Sequence, residues 1–488
     1  MSKKFHRSRR TRNIAPARVP VASFDAVQDK KKRTAPRSII RSEDKELTAS
    51  DRKKLFATAR DQERNISLLA WMVRKHLDYV ASFTFQAATP DKNFNNELET
   101  FIAQQSRPDN FDIAARHDLP KMIRLLENRA VIGGDAFWMK MRTGHIQGIE
   151  GDRVAKPSDP PDAYDTGTWT HGIQTNKAGR ALNYCICKRE NTRLLFDKVA
   201  PAANIIPRGY FTRFDQYRGI SPLTTALNSI QDLYEGFDYE LIKMKIHALF
   251  GAAITRKRAD GTGAFAPISQ TTTTGEESDD DAGNLTHEVQ EHFTKPGVAS
   301  LIELEEGENV ELFESKTPSN ESRLYSELMI KISLLALDIP WIFFDALHGS
   351  YSVHRSTTIQ YEKSSAPKIR ANQNVLNTWA DWRIALGIAD SALRLPAALQ
   401  LSNIKYEWQP AGSPWHDMLK EVKAAHEEVA GGFNSPQRIC KSRGTNFFDI
   451  VDEIAEAKVY AEEKNVSLAW SPITDPELAK ALLAEEKE

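Results

Sequence analysis

The chain has 488 residues, 41% of them apolar, and a formal net charge of −1 at neutral pH. That is long enough for two or three domains with cores of their own. The longest apolar stretch, Ile332 to Leu347, is interrupted by Asp338, Pro340 and Asp345 and is too short to cross a bilayer of about 30 Å, so no membrane contact is expected.

Three cysteines cannot build a disulfide framework and point to free thiols in a reducing compartment. The N-terminus is basic without the apolar segment of a secretory signal. Residues 1–41 hold thirteen Lys or Arg against two Asp, a net charge of +11. Residues 449–488 hold eleven Asp or Glu against four Lys, a net charge of −7. Residues 1–45 read as a disordered basic arm, whose cations are also of the kind that neutralise phosphate.

In chain order, Asp51 to Val80 reads as one helix and Phe83 to Phe85 as a strand. Asp112 to Arg129 reads as a helix ended by Gly133 and Gly134, and Ala136 to Met141 as a strand. Short strands and turns are expected across 148–183. Strands over Ala181 to Lys188 and Asn204 to Pro207 complete a β-rich layer.

The longest pattern follows. Leu223, Leu227, Ile230, Tyr234, Phe237, Leu241, Met244 and Ala248 recur at alternating steps of four and three. A row held that long predicts an amphipathic helix from Ser221, a natural N-cap, with Pro222 in its first turn. Twenty-eight helical residues span roughly 42 Å. The row suits an ordinary long core helix, or a helix packed side by side against neighbouring helices.

Gly251 to Thr255 reads as a strand, followed by a polar, mobile loop over about 261–295 that includes Asp279, Asp280 and Asp281. Strands are expected over Val298 to Leu304 and Val310 to Phe313, then a helix capped by Asn320 and ended by Pro340. A loop through Gly349 and Ser350 leads to a helix that Pro367 should kink. Trp408 and Trp415 fall in a Pro/Gly-rich connection, and acidic helices close the chain.

Enzyme signatures are absent: no phosphate-binding Gly-rich loop, no His-Glu-x-x-His and no Gly-x-Ser-x-Gly. Cys185 and Cys187 share one face of a predicted strand and, with no second pair nearby, read as buried thiols rather than a metal site. His348 and His354, six apart, are poorly spaced for ligation within one helix. No catalytic residue, metal or cofactor is expected.

Arg213-Phe214-Asp215-Gln216-Tyr217-Arg218-Gly219-Ile220-Ser221-Pro222-Leu223 resembles the lead-in to a long helix in portal proteins of tailed bacteriophages, the lambda-type branch above all. Pro296-Gly297, Leu304 to Gly307, Phe313, Pro318 and Tyr325 follow in the family's order. Tyr351-Ser352-Val353-His354-Arg355 is similar to the family's Tyr-Ser-Ser-Ala-Arg element, departing at Val353 and His354, where small residues are usual. Trp408-Gln409-Pro410, Pro414, Asp417, Lys420-Glu421, Gly432, Ser435-Pro436, Gly444, Phe447-Phe448-Asp449 and Ile454-Ala455 continue the series. The resemblance covers roughly residues 50–465.

That resemblance implies an α+β portal-type ring subunit. A wing (46–221) would lead to a stem helix (222–250), a small α/β clip (251–319) and a second stem helix (320–341). A channel loop (342–352), a kinked helix with further wing (353–414) and a helical crown with acidic tail (415–488) would follow. Copies, twelve in the family pattern, would form a ring at one capsid vertex. Double-stranded DNA is packaged and ejected through it, and the ring docks the terminase large subunit and later a head-tail adaptor or connector. Major capsid protein and scaffold are further implied partners, and the virion is the implied location. Phe344, Asp345, His348, Gly349, Ser350 and Tyr351 would form the channel loop. Arg355, Lys363, Lys368 and Arg370 are candidates for channel or intersubunit contact. Leu223, Leu227, Ile230, Tyr234, Phe237, Leu241 and Met244 would form the oligomer seam. Another phage head or connector protein, or a metal-dependent nuclease built from scattered acidic residues, remains open on sequence alone.

Overall fold

Helix breaks and helix starts follow local side-chain chemistry more closely than the apolar pattern suggested. The structure is a computed structural model that describes residues 42–161, 164, 168–191, 193–249, 252–256, 308–312, 319–345, 349–397, 399–412 and 417–466. The predicted strand over Val298 to Leu304, the loop at 261–295, His348, Trp415 and the acidic end beyond 466 lie outside the described residues. The basic arm was expected to reach residue 45, but α1 (Glu43–Glu46) is already helical. The single helix expected over Asp51 to Val80 is two, α2 (Ala49–Asn65) and α3 (Ser67–Val80). Ile66 between them is extended, φ −112° and ψ 109°, and buries its side chain. Asn65 and Ser67, both weak interior helix formers, flank the break.

β1 (Phe83–Ala87), α4 (Lys92–Gln105) and the single turn α5 (Pro108–Phe111) come next. The following helix, α6 (Leu119–Gly133), starts seven residues later than the apolar pattern implied. The Asp112 carboxylate accepts from the backbone N–H groups of Ala114 and Arg116 at 3.2 and 3.1 Å, a local turn that competes with helix. Asp118 then caps Lys121 N at 2.8 Å, with Pro120 in the first turn.

Two antiparallel sheets come next. β2 (Asp135–Lys140) lies between β3 (Ile146–Glu150) and β8 (Ile205–Gly209). β4 (Trp169–Thr170), β5 (Ile173–Thr175), β6 (Ala181–Glu190) and β7 (Arg193–Pro201) form a meander, β7 being a strand that the pattern did not announce. Alternation along β2 sends Ala136 and Trp138 to one core and Phe137 and Met139 to another, so both faces of the central sheet are buried. Cys185 and Cys187 lie on the meander's far face with Tyr164, both fully buried.

α7 (Leu227–Leu249) is preceded by a 3-10 turn, Pro222–Thr225, so the expected continuous helix is interrupted at Ala226. Ser221 Oγ accepts from Leu223 N at 3.1 Å and donates to the Val131 carbonyl at 2.6 Å. β9 (Ala252–Arg256) pairs antiparallel with β10 (Glu308–Leu312). Ser319, not Asn320, caps α8 (Asn320–Leu334), accepting from Ser322 N at 3.1 Å. A 3-10 turn, Leu335–Leu337, and the left-handed Asp338 (φ 60°) end that helical run, two residues before Pro340.

α9 (Tyr351–Ala389) runs 39 residues without interruption through Pro367, roughly 58 Å of helix. β11 (Tyr406–Pro410) pairs with β1 in the register Phe85↔Trp408, so Trp408 belongs to a strand and is buried, not in a loop as expected. α10 (Met418–Ala430), α11 (Pro436–Ser442) and α12 (Phe447–Glu463) close the described chain.

Two large cores result. One joins Phe94, Leu98 and Phe101 of α4, Ile123 and Leu126 of α6, Trp138, Trp408, and Leu376 and Trp379 of α9. The other joins Leu69, Met72 and Val73 of α3, Val131, Leu227 and Ile230 of α7, Leu334, Leu337 and Tyr361. α6 and α9 contribute to both, so they tie the sheet side of the molecule to the α7–α8 side.

Candidate channel segment and its helical frame

The segment between α8 and α9 is fastened at its first half. Lys368 of α9 donates to the Leu337 carbonyl at 3.3 Å and pairs with Asp338 at 2.9 Å, satisfying a helix-end acceptor. A 3-10 turn, Trp341–Phe343, with Phe344 just after it, then delivers three aromatic rings. Phe343 stacks on Tyr79 with ring centroids 5.5 Å apart and meets Tyr361 at 5.3 Å. Phe344 meets Trp71 edge-on at 5.6 Å. Phe344 is therefore half-exposed and half-anchored.

Gly349 returns the chain to α9. A Cβ there would lie 2.5 Å from Ile342 Cδ1 and 2.6 Å from His354 Nε2, so a larger residue would push both side-chain ends aside. Ser350 occupies the N-cap position, its hydroxyl 3.1 Å from that of Ser352. Tyr351 is exposed, with Lys420 Nζ 5.4 Å from its ring centroid. Asp345 is half-buried.

The four candidate cations of α9 separate into two pairs, apart from Arg383 further along, which donates to the Gly144 carbonyl at 3.0 Å. Arg355 donates from Nη1 to Glu421 Oε1 at 2.8 Å, and Lys368 is engaged as described above. Lys363 and Arg370 are exposed.

The apolar row of α7 also divides. Leu223, Leu227 and Ile230 are buried inside the chain against α3 and α6, with Leu227 3% exposed. These three seam positions serve the subunit's own core, which they share with α3, α6 and the end of α8. Tyr234, Phe237 and Leu241 are exposed, Leu241 at 44%, and Met244 is half-buried. Tyr239 and Ile242 are exposed on another side of the same helix. α8 lies alongside α7, with Ser322 Oγ donating to Glu240 Oε1 at 2.8 Å. Its Ile330 and Leu334 turn to the core, while Leu324, Tyr325, Leu328, Ile332 and Leu335 fall within one stripe about 100° wide and are exposed.

The lead-in to α7 is held by Arg218, which is fully buried. Its Nε and Nη2 donate to Asp135 Oδ2 and Oδ1 at 2.6 and 2.8 Å, and its other donors reach the carbonyls of Gly151, His171 and Val154. Gln216 donates to the Arg218 carbonyl at 2.7 Å and accepts from Thr212 N at 2.9 Å. The loop is thereby braced, with Phe214 projecting fully into solvent.

The family described as phage portal protein, lambda family, matches residues 30–364. The chain belongs to that family. This portal protein is a structural, non-enzymatic component of the virion, located at the capsid vertex, and DNA packaging and ejection follow from that role. Among solved structures it is similar to a chain of the virion of a native gene transfer agent particle, with a TM-score of 0.48 and 14% identity over 81% of this chain and 93% of that one. A chain from the neck of the empty particle computed with C6 symmetry gives 0.48 and 13% over 79% and 93%. One from the neck of the native particle computed with C12 symmetry gives 0.47 and 14% over 81% and 94%. No curated protein matches.

The portal protein also contains a buried polar network that no sequence motif announced. Glu127 of α6 accepts from Arg208 Nε on Oε2 at 2.8 Å and from Arg208 Nη2 on Oε1 at 3.2 Å. His76 Nε2 lies 3.0 Å from Oε1, and the Tyr210 hydroxyl also donates to Oε1. Arg208 Nε donates as well to Asn372 Oδ1 at 2.8 Å, and Asn372 Nδ2 to the Val80 carbonyl at 2.9 Å. Burial alone would raise the Glu127 pKa, but Arg208, His76 and Tyr210 bring it down to about 2. Burial and the Glu127 charge push Tyr210 well up. The available signal was a glutamate on the apolar face of α6, one residue after Leu126 and four after Ile123. Among the described residues no group of three or more His, Cys, Asp or Glu side chains can hold a metal ion. No described helix is long and apolar enough to cross a membrane.

Proposed function

We propose that this portal protein acts as a closed ring of copies, twelve by the family resemblance, with double-stranded DNA passing through the central channel. The observation that carries this reading is the pair of exposed apolar surfaces on the α7–α8 hairpin. Tyr234, Phe237, Leu241, Tyr239 and Ile242 lie on one helix, and Leu324, Leu328, Ile332 and Leu335 on the other. A subunit that offers unlike faces on two helices suits a head-to-tail contact, which closes into a ring when the rotation permits. The hairpin is then the stem, β9–β10 part of the clip, residues 344–350 the channel loop and α10–α12 the crown. The sheets with α2–α6 and β11 form the wing.

A channel for moving DNA must not grip it, since each phosphate contact adds affinity. Residues 344–352 contain no Lys or Arg, and Arg355 and Lys368 are engaged with carboxylates. Lys363 and Arg370 are the α9 cations left for DNA or a neighbouring copy. The terminase large subunit and later the head-tail adaptor or connector would dock at the clip. Major capsid protein and scaffold would meet the outer surface.

Negative-stain microscopy and sedimentation of the full chain test the reading. The wild type should form closed rings with a hole wide enough for a duplex. Leu241→Asp with Leu328→Asp should yield folded, soluble chains that form none. A wild type that stays monomeric or dimeric at all salt concentrations, or a double variant that still forms rings, overturns it.

A further inference from the structure

Glu421 joins three parts of the chain that are far apart in sequence. It lies in the first turn of α10, and its side chain is 7% exposed. Oε1 accepts from Arg355 Nη1, in the second turn of α9, at 2.8 Å. Oε2 accepts from Arg443 Nη2, just after α11, at 2.8 Å. Its neighbour Lys420 sits 5.4 Å from the ring centroid of Tyr351, the first residue of α9. One turn of α10 therefore grips the first two turns of α9.

The other side of this joint is fixed to the sheet. A Cβ on Gly412, just past β11, would lie 2.0 Å from the carbonyl carbon of Arg443, so the two backbones touch. Lys441 pairs with Glu407 of β11 at 2.7 Å. β11 is hydrogen-bonded to β1, and Trp408 is buried in the main core. The start of α9 is thus linked through Glu421 and Arg443 to a rigid ribbon.

The segment before α9 feels that link directly. Gly349 packs on His354 and Ile342, so a shift of the first turn of α9 is passed to the loop. The far end of the loop is held on α3, by Phe343 against Tyr79 and Phe344 against Trp71. Phe344 thus sits on an aromatic anchor and Gly349 on a helix start that α10 grips.

We propose that Glu421 is a positioning residue for the loop that enters α9, setting its place from the C-terminal helices through Arg355. This rests on the channel reading above for its functional meaning, but the mechanical link stands on the geometry alone. A buried carboxylate bridging two guanidinium groups is a strong, directional joint, and removing it takes a charged partner from both arginines.

Hydrogen–deuterium exchange on full-length assembled rings tests it. Arg355→Ala leaves Glu421 with Arg443, so the C-terminal helices stay folded. Exchange across 345–357 should nevertheless rise about tenfold or more, with α4 and β1 unchanged. Glu421→Ala should do the same, and Glu421→Asp should restore part of the protection. Faster exchange confined to 417–446, with 345–357 at wild-type protection in both variants, overturns the proposal. DNA content of particles built with Arg355→Ala separates the two readings. A mobile loop with normal DNA content removes the channel assignment and leaves the positioning role standing, whereas an unchanged loop removes the positioning role whatever the DNA content.

Discussion

Glu127→Gln removes the charge at the centre of the network joining α3, α6, β8 and α9 while keeping the side chain's shape. The Glu127 carboxyl titrates at about 2 in the folded chain against an ordinary 4.5. At about 1.4 kcal/mol per pH unit, that difference corresponds to about 3 kcal/mol of stability at neutral pH. Leaving Arg208 buried without its counter-charge gives a similar figure, since breaking one side of a buried pair costs about 3–5 kcal/mol. The folded value is depressed, so the contribution is complete above the unfolded value near 4.5 and is lost as pH falls through about 2. Guanidinium unfolding at fixed protein concentration, followed by the fluorescence of the buried Trp138 and Trp379, reads this out. Glu127→Gln should be less stable by about 3 kcal/mol at pH 7, with the gap to wild type narrowing steadily below pH 4. A gap under about 0.5 kcal/mol at pH 7, or one that does not narrow in acid, refutes the account of the network.

Leu227→Ala should destabilise the subunit by about 2–5 kcal/mol, because Leu227 is a core residue; Leu241→Ala should leave subunit unfolding within about 0.5 kcal/mol of wild type and instead weaken ring assembly, a contrast that denaturation and sedimentation together measure. Deleting His348 to Ser350 should leave rings intact and lower the DNA content of assembled heads; loss of rings would make the loop a structural contact instead. Gly349→Ala should displace the loop start, since its Cβ would meet Ile342 and His354 at 2.5 and 2.6 Å, and should raise proteolytic cleavage near 345–350 without altering ring size. The pure protein should neither hydrolyse ATP nor cleave DNA in magnesium, and an activity abolished by a point substitution in this chain would contradict that.

What was legible in the sequence was what depends on neighbours along the chain. The period of the α7 row, the start signals Ser221-Pro222, the β-rich composition of 136–207 and the ordered motifs of the lambda-type resemblance are all local. They led to the right family and to most of the strands. Local chemistry also misled where two signals competed. The apolar spacing through Asp51–Val80 concealed the extended Ile66, and the Asp112 turn delayed α6 to Leu119. Trp408 looked like a loop residue beside Pro410 and Gly412 because its partner strand, β1, is over 300 residues earlier.

The amino-acid sequence by itself determined that α7 carries a continuous apolar row and that the first twenty residues of α9 carry four Lys or Arg. It did not determine what either faces. Tertiary packing closes α3 and α6 over Leu223, Leu227 and Ile230 and leaves Tyr234, Phe237 and Leu241 open. It also brings Glu421 to Arg355 and Asp338 to Lys368, leaving Lys363 and Arg370 exposed. Helical periodicity fixes which residues share a face, because it follows from the backbone repeat. Which of those faces is covered depends on segments tens to hundreds of residues away, whose positions the repeat does not encode.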